Sequence, residues 1–220
     1  MVRLMALIRS VFQDELDGVS QTLVDLTNMV SESMGKATDA ILNVDLKLAE
    51  DVIKTDENID SVQHELDARI IDIIARQQPV ASDLRALVTA LRMSSDLERM
   101  GDFAHHIAKT ARYRHPSAAV PKEAVEIVRE MSKVAQQIAT KTGVVIATRD
   151  TELALEVERD DDRMDALHRD LISTIVGMKW DQGVESAIDL TLLGRYYERY
   201  ADHAVSVSRR VYFLVTGSFA

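Results

Sequence analysis

Apolar residues recur along almost the whole chain at the three- and four-residue spacing that is typical of amphipathic helices. The alternation of apolar and polar residues that marks half-buried strands is missing. The pattern predicts an all-α protein with six long helices, over residues 12–43, 45–76, 82–114, 121–148, 150–178 and 183–215. The three prolines, at 79, 116 and 121, lie between these segments or at the first residue of one, which supports the divisions.

The chain contains an internal duplication. Residues 96–102 (DLERMGD) and 196–202 (YYERYAD) share a Glu-Arg-x-x-Asp core one hundred residues apart. The second and fifth predicted helices also repeat each other, at an offset of 105 residues. The matching positions are Asp45, Leu48, Val52, Asp56, Ile59, Asp60, Leu66 and Ile70 in the second helix and Asp150, Leu153, Val157, Asp161, Met164, Asp165, Leu171 and Ile175 in the fifth. Three helices joined by short connections normally pack as an antiparallel bundle. We therefore predict two tandem three-helix bundles, residues 1–116 and 117–220, with a continuous six-helix array as the alternative.

Each repeat carries two pairs of carboxylates at i,i+4 spacing. The pairs are Asp56 with Asp60 and Glu98 with Asp102 in the first repeat, and Asp161 with Asp165 and Glu198 with Asp202 in the second. Like charges at this spacing repel each other by roughly 0.2–0.5 kcal/mol. Helical phase places every pair about 80–140° to the same side of the apolar stripe of its helix, so the pairs flank the core.

If the second and third helices are neighbours, four carboxylates converge where those helices meet, and likewise for the fifth and sixth. A cation would compensate the repulsion and the loss of hydration. Oxygen ligands suit magnesium, calcium, manganese or iron ions and disfavour a structural zinc site. The alternative is that the pairs arise by chance in an acidic chain and are neutralised by arginines such as Arg99 and Arg199. In the second and fifth helices, Glu57 and the residues 160 and 162 offer adjacent ligands, so the register is open there.

Composition narrows the class of protein. The 220 residues have a net charge of −10, which disfavours binding to nucleic acids and to anionic membranes. The absence of cysteine excludes disulfides and thiolate metal sites and suits a reducing compartment. No apolar run approaches the ~18 residues of a membrane span, and residues 1–10 are interrupted by Arg3 and Arg9 without an evident cleavage site. We expect a cytoplasmic protein with no direct membrane insertion.

Catalytic motifs are missing from the sequence, including a glycine-rich phosphate loop and a Ser/His/Asp order. Asp102-x-x-His105 and Asp165-x-x-His168 imitate the acidic-x-x-His spacing of di-iron bundles. The imitation is incomplete, because Val205 occupies the position in the sixth helix that His105 occupies in the third. We therefore expect no enzyme. A carboxylate-bridged metal oxidase or hydrolase and a metal-free helical interaction protein are the alternatives.

At the two Glu-Arg-x-x-Asp segments the chain resembles the PhoU family of phosphate-signalling regulators, and the resemblance runs from about residue 12 to residue 215. It implies metal clusters of divalent or trivalent ions, usually iron, at the carboxylate pairs of two three-helix bundles. It also implies a negative regulator of the phosphate-starvation response and of phosphate uptake. Such a regulator acts between the ATPase subunit of a phosphate-specific ABC transporter and a two-component sensor histidine kinase, and we expect a homodimer. Carried over by position, the metal ligands are Asp56, Asp60, Glu98, Asp102, Asp161, Asp165, Glu198 and Asp202.

Overall fold

The computed structural model describes residues 2–177 and 180–218. That part of the chain consists of six α-helices and the loops that join them: α1 (Val2–Asn43), α2 (Leu46–Gln77), α3 (Ala81–Arg114), α4 (Val125–Thr148), α5 (Thr151–Val176) and α6 (Gly183–Thr216). The predicted all-α class and all six helices are confirmed.

Two helix boundaries differ from the prediction by more than two residues. Helix α1 begins at Val2, ten residues before the predicted start, because no proline or glycine interrupts the chain before Gly18. Helix α4 begins at Val125 rather than at residue 121, after a short turn that follows Pro121. The predicted end of the fifth helix, residue 178, lies outside the described residues.

The repeat extends to the way in which α2 and α5 begin. Asp45 caps α2 by accepting a hydrogen bond of 3.0 Å from the backbone N–H of Leu48. Asp150, which follows it by 105 residues, caps α5 by accepting hydrogen bonds from the N–H groups of Glu152 and Leu153, at 2.9 and 3.0 Å. A carboxylate at this position satisfies N–H groups that have no partner within the helix. The same local interaction therefore starts, in each repeat, the helix in which the sequence leaves the register of the acidic pair open.

The six helices form two three-helix bundles that lie side by side. Helices α1, α2 and α3 pack against one another, and α4, α5 and α6 do the same. The bundles meet where α1 packs against α4 and α3 packs against α6. A single cluster of buried apolar side chains includes residues from all six helices. Helices α2 and α5 consequently lie at the two outer edges, each covering one flank of its bundle.

Helices α3 and α6 run antiparallel along the junction between the bundles. Arg114, in the last turn of α3, binds Asp189 at 2.5 Å and Glu185 at 3.1 Å, close to the start of α6. Near the start of α3, the guanidinium of Arg85 lies 5.6 Å from the centre of the Phe213 ring, close to the end of α6. The contact therefore extends along most of both helices. Among the described residues, no helix combines the length and the apolarity that are needed to cross a membrane.

Candidate metal centre

The carboxylate pairs lie where helical phase places them, beside the buried stripe of each helix. In α3, Leu97 and Met100 are fully buried, whereas the side chains of Glu98 and Asp102 are 24% and 27% exposed. Helix α2 packs directly against α3, and α5 packs directly against α6. The condition for convergence of the carboxylate pairs is therefore met in both repeats.

The first acidic seam comprises Asp56 and Asp60 on α2 with Glu98 and Asp102 on α3. Asp56 is buried, and this burial is the main cause of its raised pKa, to which the charges of Asp60 and Asp102 add. Burial also raises the pKa of Glu98, with smaller contributions from Asp102, Asp60 and Asp56 and an opposing one from Arg99. The four carboxylates therefore lie within range of one another's charge, and the negative forms of Asp56 and Glu98 are disfavoured there.

A histidine joins the first acidic seam. Nδ1 of His105 forms a short hydrogen bond with Oδ2 of Asp56, and this contact opposes the rise in the Asp56 pKa. The other ring nitrogen, Nε2, is buried and has no hydrogen-bond partner. His105 follows Glu98 by seven residues, or two helical turns, so its position on the acidic face could have been inferred from phase. Its pairing with Asp56 depends on how α2 and α3 pack.

The second acidic seam comprises Asp161 and Asp165 on α5 with Glu198 and Asp202 on α6. Burial, followed by the charges of Asp202, Asp165, Asp162 and Glu198, raises the pKa of Asp161 to about 6. Oδ1 of Asp161 is buried without a hydrogen-bond partner. Val205 fills the position that corresponds to His105, so the histidine contact of the first acidic seam has no counterpart at that position.

The structure distinguishes between the adjacent acidic residues that the sequence left open. Asp160 forms an ion pair of 2.9 Å with Lys141 on α4, and Asp162 is exposed. Of the three, Asp161 has the buried oxygen and the interactions with Glu198 and Asp202. In α2, Asp56 is buried and Glu57 is exposed. The two seams also differ, because Asp60 is partly buried whereas its counterpart Asp165 is exposed.

Arginines pair with the carboxylates of α3 and α6. Arg99 binds Asp102 at 2.7 Å and lies 3.6 Å from Glu98. Arg199 binds Asp202 at 3.0 Å, and Arg195 forms a short ion pair with Glu198. These arginine side chains are 41–58% exposed, and ion pairs in such positions contribute little to the free energy of folding. Over residues 2–177 and 180–218, no three acidic or imidazole side chains are arranged closely enough to enclose an ion as they stand.

The two seams and their helices define a class: an all-helical protein built by duplication, in which each three-helix repeat carries an acidic cluster between its second and third helices. The family model of the PhoU domain matches the chain twice, over residues 23–111 and 128–211. The chain belongs to the PhoU family.

Curated relatives and a solved structure support this assignment. The chain is 41% identical over 212 residues to the phosphate-specific transport system accessory protein PhoU homolog 2 of Mycobacterium tuberculosis, covering 96% of this chain and 100% of that protein. It is 42% identical over 212 residues to PhoU homolog 1 of Mycobacterium leprae, covering 96% of each chain. The crystal structure of the phosphate transport system regulatory protein PhoU from Streptococcus pneumoniae matches with a TM-score of 0.84 and 26% identity, covering 95% of this chain and 99% of that one.

Proposed function

We propose that this chain is an accessory protein of a phosphate-specific transport system and that it holds metal ions at its two acidic seams. The observation that carries the metal part is that the four carboxylates of each repeat lie within range of one another's charge at equivalent places, where Asp56 is buried and the pKa of Asp161 is raised to about 6. A bound cation would offset the loss of hydration and the repulsion that raise the pKa values of Asp56 and Asp161.

The residues of both seams fit a metal ion by donor type. Carboxylate oxygens are the preferred ligands of magnesium, calcium, manganese and iron ions. Oδ1 of Asp161 and Nε2 of His105 are buried atoms that lack a hydrogen-bond partner and that could give an electron pair to a metal ion. The arginines that pair with Glu98, Asp102, Glu198 and Asp202 are about half exposed, so they can turn toward water when an ion binds. Such an ion would supply positive charge, which orders the two helices of each seam.

The regulatory part of the proposal rests on family membership. We propose a non-catalytic negative regulator of the phosphate-starvation response and of phosphate uptake, active in the cytoplasm as a homodimer. Its partners would be the ATPase subunit of a phosphate-specific ABC transporter and a two-component sensor histidine kinase. Exposed apolar side chains at Val184, Ile188 and Leu192 form a stripe with i,i+4 spacing on α6, which is the kind of surface that protein partners cover.

Metal analysis of the purified protein, with thermal unfolding before and after chelation, tests the first part. We expect bound metal and a stabilisation of about 2.7 kcal/mol at a free ion concentration one hundred times the Kd. The double variant Glu98→Ala/Asp102→Ala should lose the metal bound at the first acidic seam and the stabilisation that this metal gives. Glu198→Ala/Asp202→Ala should lose those of the second acidic seam. A matched control removes the exposed pair Glu65 and Asp72 of α2, which lies outside the seams. Equal metal content in all four proteins would contradict the proposal.

A metal-free interaction protein is the second candidate function, and the arginine pairs favour it. If Arg99, Arg195 and Arg199 alone neutralise the seams, iron, manganese, magnesium and calcium ions will leave the melting temperature unchanged.

Co-purification of the tagged chain with the transporter ATPase and with the kinase tests the regulatory part in either case. We expect both partners to be recovered, and recovery of neither would contradict the adaptor role.

A further inference from the structure

The imidazole of His105 is a further potential metal ligand in the first acidic seam, beside the four carboxylates. Its Nδ1 hydrogen-bonds to Oδ2 of Asp56, while Nε2 is buried without a partner. Because a carboxylate accepts, Nδ1 donates its N–H to Asp56, and the neutral form of an imidazole held in this way carries its lone pair on Nε2. A buried ring nitrogen without a partner is unfavourable, so this arrangement calls for an explanation.

Helical phase places His105 with the candidate ligands. It follows Asp102 by three residues and Glu98 by seven, so the three side chains follow one another along a single face of α3. Asp56 contacts the ring from α2. His105 thus lies at one end of the first acidic seam, with contacts to both helices that form it.

We propose that His105 is a ligand of the metal ion in the first acidic seam through Nε2, and that Asp56 orients its ring. The inference rests on the metal site of the proposed function and adds to it a nitrogen ligand. It also makes Asp56 a positioning residue, because an ion at Nε2 would lie on the far side of the ring from the carboxylate that holds Nδ1. A metal-binding histidine commonly donates its other N–H to a carboxylate, which fixes the tautomer and the orientation of the ring. The hydrogen bond between His105 and Asp56 already has this form.

The proposal makes the two seams chemically different. Val205 replaces His105 in α6, and His168 of α5 packs beside Gly194, one turn before Glu198. An imidazole ligand favours zinc, iron, nickel and copper ions, whereas carboxylates suit magnesium, calcium and manganese ions. The first acidic seam should therefore bind transition metals more selectively than the second.

The test uses the full-length chain carrying Glu198→Ala/Asp202→Ala, so that the first acidic seam remains. One equivalent of Co²⁺ should give a far-shifted, solvent-exchangeable proton resonance in paramagnetic NMR, from the Nδ1–H of a bound imidazole. His105→Gln and His105→Val should both abolish this resonance and weaken Zn²⁺ binding about 100-fold, since even indirect partners of metal ligands change affinity by 10–100-fold. Mg²⁺ binding should change much less.

His168→Gln and His64→Gln are the matched controls and should keep both the resonance and the Zn²⁺ affinity; His64 is exposed on α2. Circular dichroism establishes that each variant is folded. If Zn²⁺ binds and is lost in Glu98→Ala/Asp102→Ala, but both His105 variants keep the resonance and the affinity, the role of His105 is refuted and the metal site stands. If Zn²⁺ and Co²⁺ bind no better than to Glu98→Ala/Asp102→Ala, the metal site fails and the role of His105 fails with it.

Discussion

Asp161 carries its charge in surroundings that oppose it. Burial and four neighbouring carboxylates raise its pKa to about 6, against an ordinary value of about 3.9 in an unfolded chain. Between these two values the folded protein binds more protons than the unfolded one. Stability therefore falls as the pH rises from 4 to 6, and the loss persists above pH 6. A group with this behaviour opposes folding at neutral pH unless a cation binds to it.

The substitution Asp161→Asn should therefore stabilise the metal-free protein at neutral pH. A shift of about two pKa units corresponds to roughly 3 kcal/mol, and partial exposure of the side chain reduces the expected gain to about 1 kcal/mol. Most of the gain should disappear near pH 4, where the wild-type carboxyl is protonated in the folded state and about half protonated in the unfolded state. Urea unfolding in the presence of a chelator, at pH 4 and at pH 7.5, measures both values.

Asp170→Asn on the same helix is the control, because Asp170 is exposed and lies outside the second acidic seam. It should leave stability unchanged at both pH values. An Asp161→Asn variant that is less stable than wild type at pH 7.5 would show that the ionised carboxylate is well compensated without metal.

At the scale of the helices, the caps of α2 and α5 show how short-range sequence fixes each repeat. Asp150→Ala should destabilise the protein by about 1 kcal/mol, because the N–H groups of Glu152 and Leu153 lose their acceptor. Asp150→Ser retains an acceptor at the cap and should recover most of that loss. Urea unfolding of the three proteins gives the difference, and equal stability of the alanine and serine variants would exclude capping as the cause.

The same scale shows what the sequence can predict and where it fails. The buried positions Leu97, Met100 and Ile107 and the half-buried pair beside them follow from the 3.6-residue period alone. The period does not determine which of several adjacent carboxylates faces the seam, because packing decides between registers that differ by one residue. Asp160 pairs with Lys141, whereas Asp161 interacts with the carboxylates of α6. The pairing of His105 with Asp56 likewise depends on how far α2 is displaced along α3.

At the scale of the whole molecule, the two bundles are joined by polar contacts that the repeat does not predict. Asp96 of α3 accepts hydrogen bonds from Nδ1 of His203 at 2.9 Å and from Nε of Arg210 at 3.0 Å, both on α6. Ten residues further along α3, the ring of His106 stacks on Tyr196 of α6, with 5.2 Å between centres. These partners belong to different repeats, so comparing one repeat with the other cannot identify them. The antiparallel packing of α3 on α6 brings them together.

Because the bundles share one core and these contacts, the chain should unfold in a single transition, and Asp96 should contribute to it. Asp96→Ala leaves His203 and Arg210 without their acceptor in a half-buried place and should destabilise the protein by about 2 kcal/mol. In a cycle with Arg210→Ala, the double variant should lose about 1 kcal/mol less than the sum of the single variants, since the two side chains interact directly. Urea unfolding followed by circular dichroism and by Trp180 fluorescence measures the cycle and the cooperativity together. Additive losses would mean that the Asp96–Arg210 contact does not couple the bundles, so that their apolar contacts alone join them. Separate transitions by the two probes would mean that the bundles unfold independently.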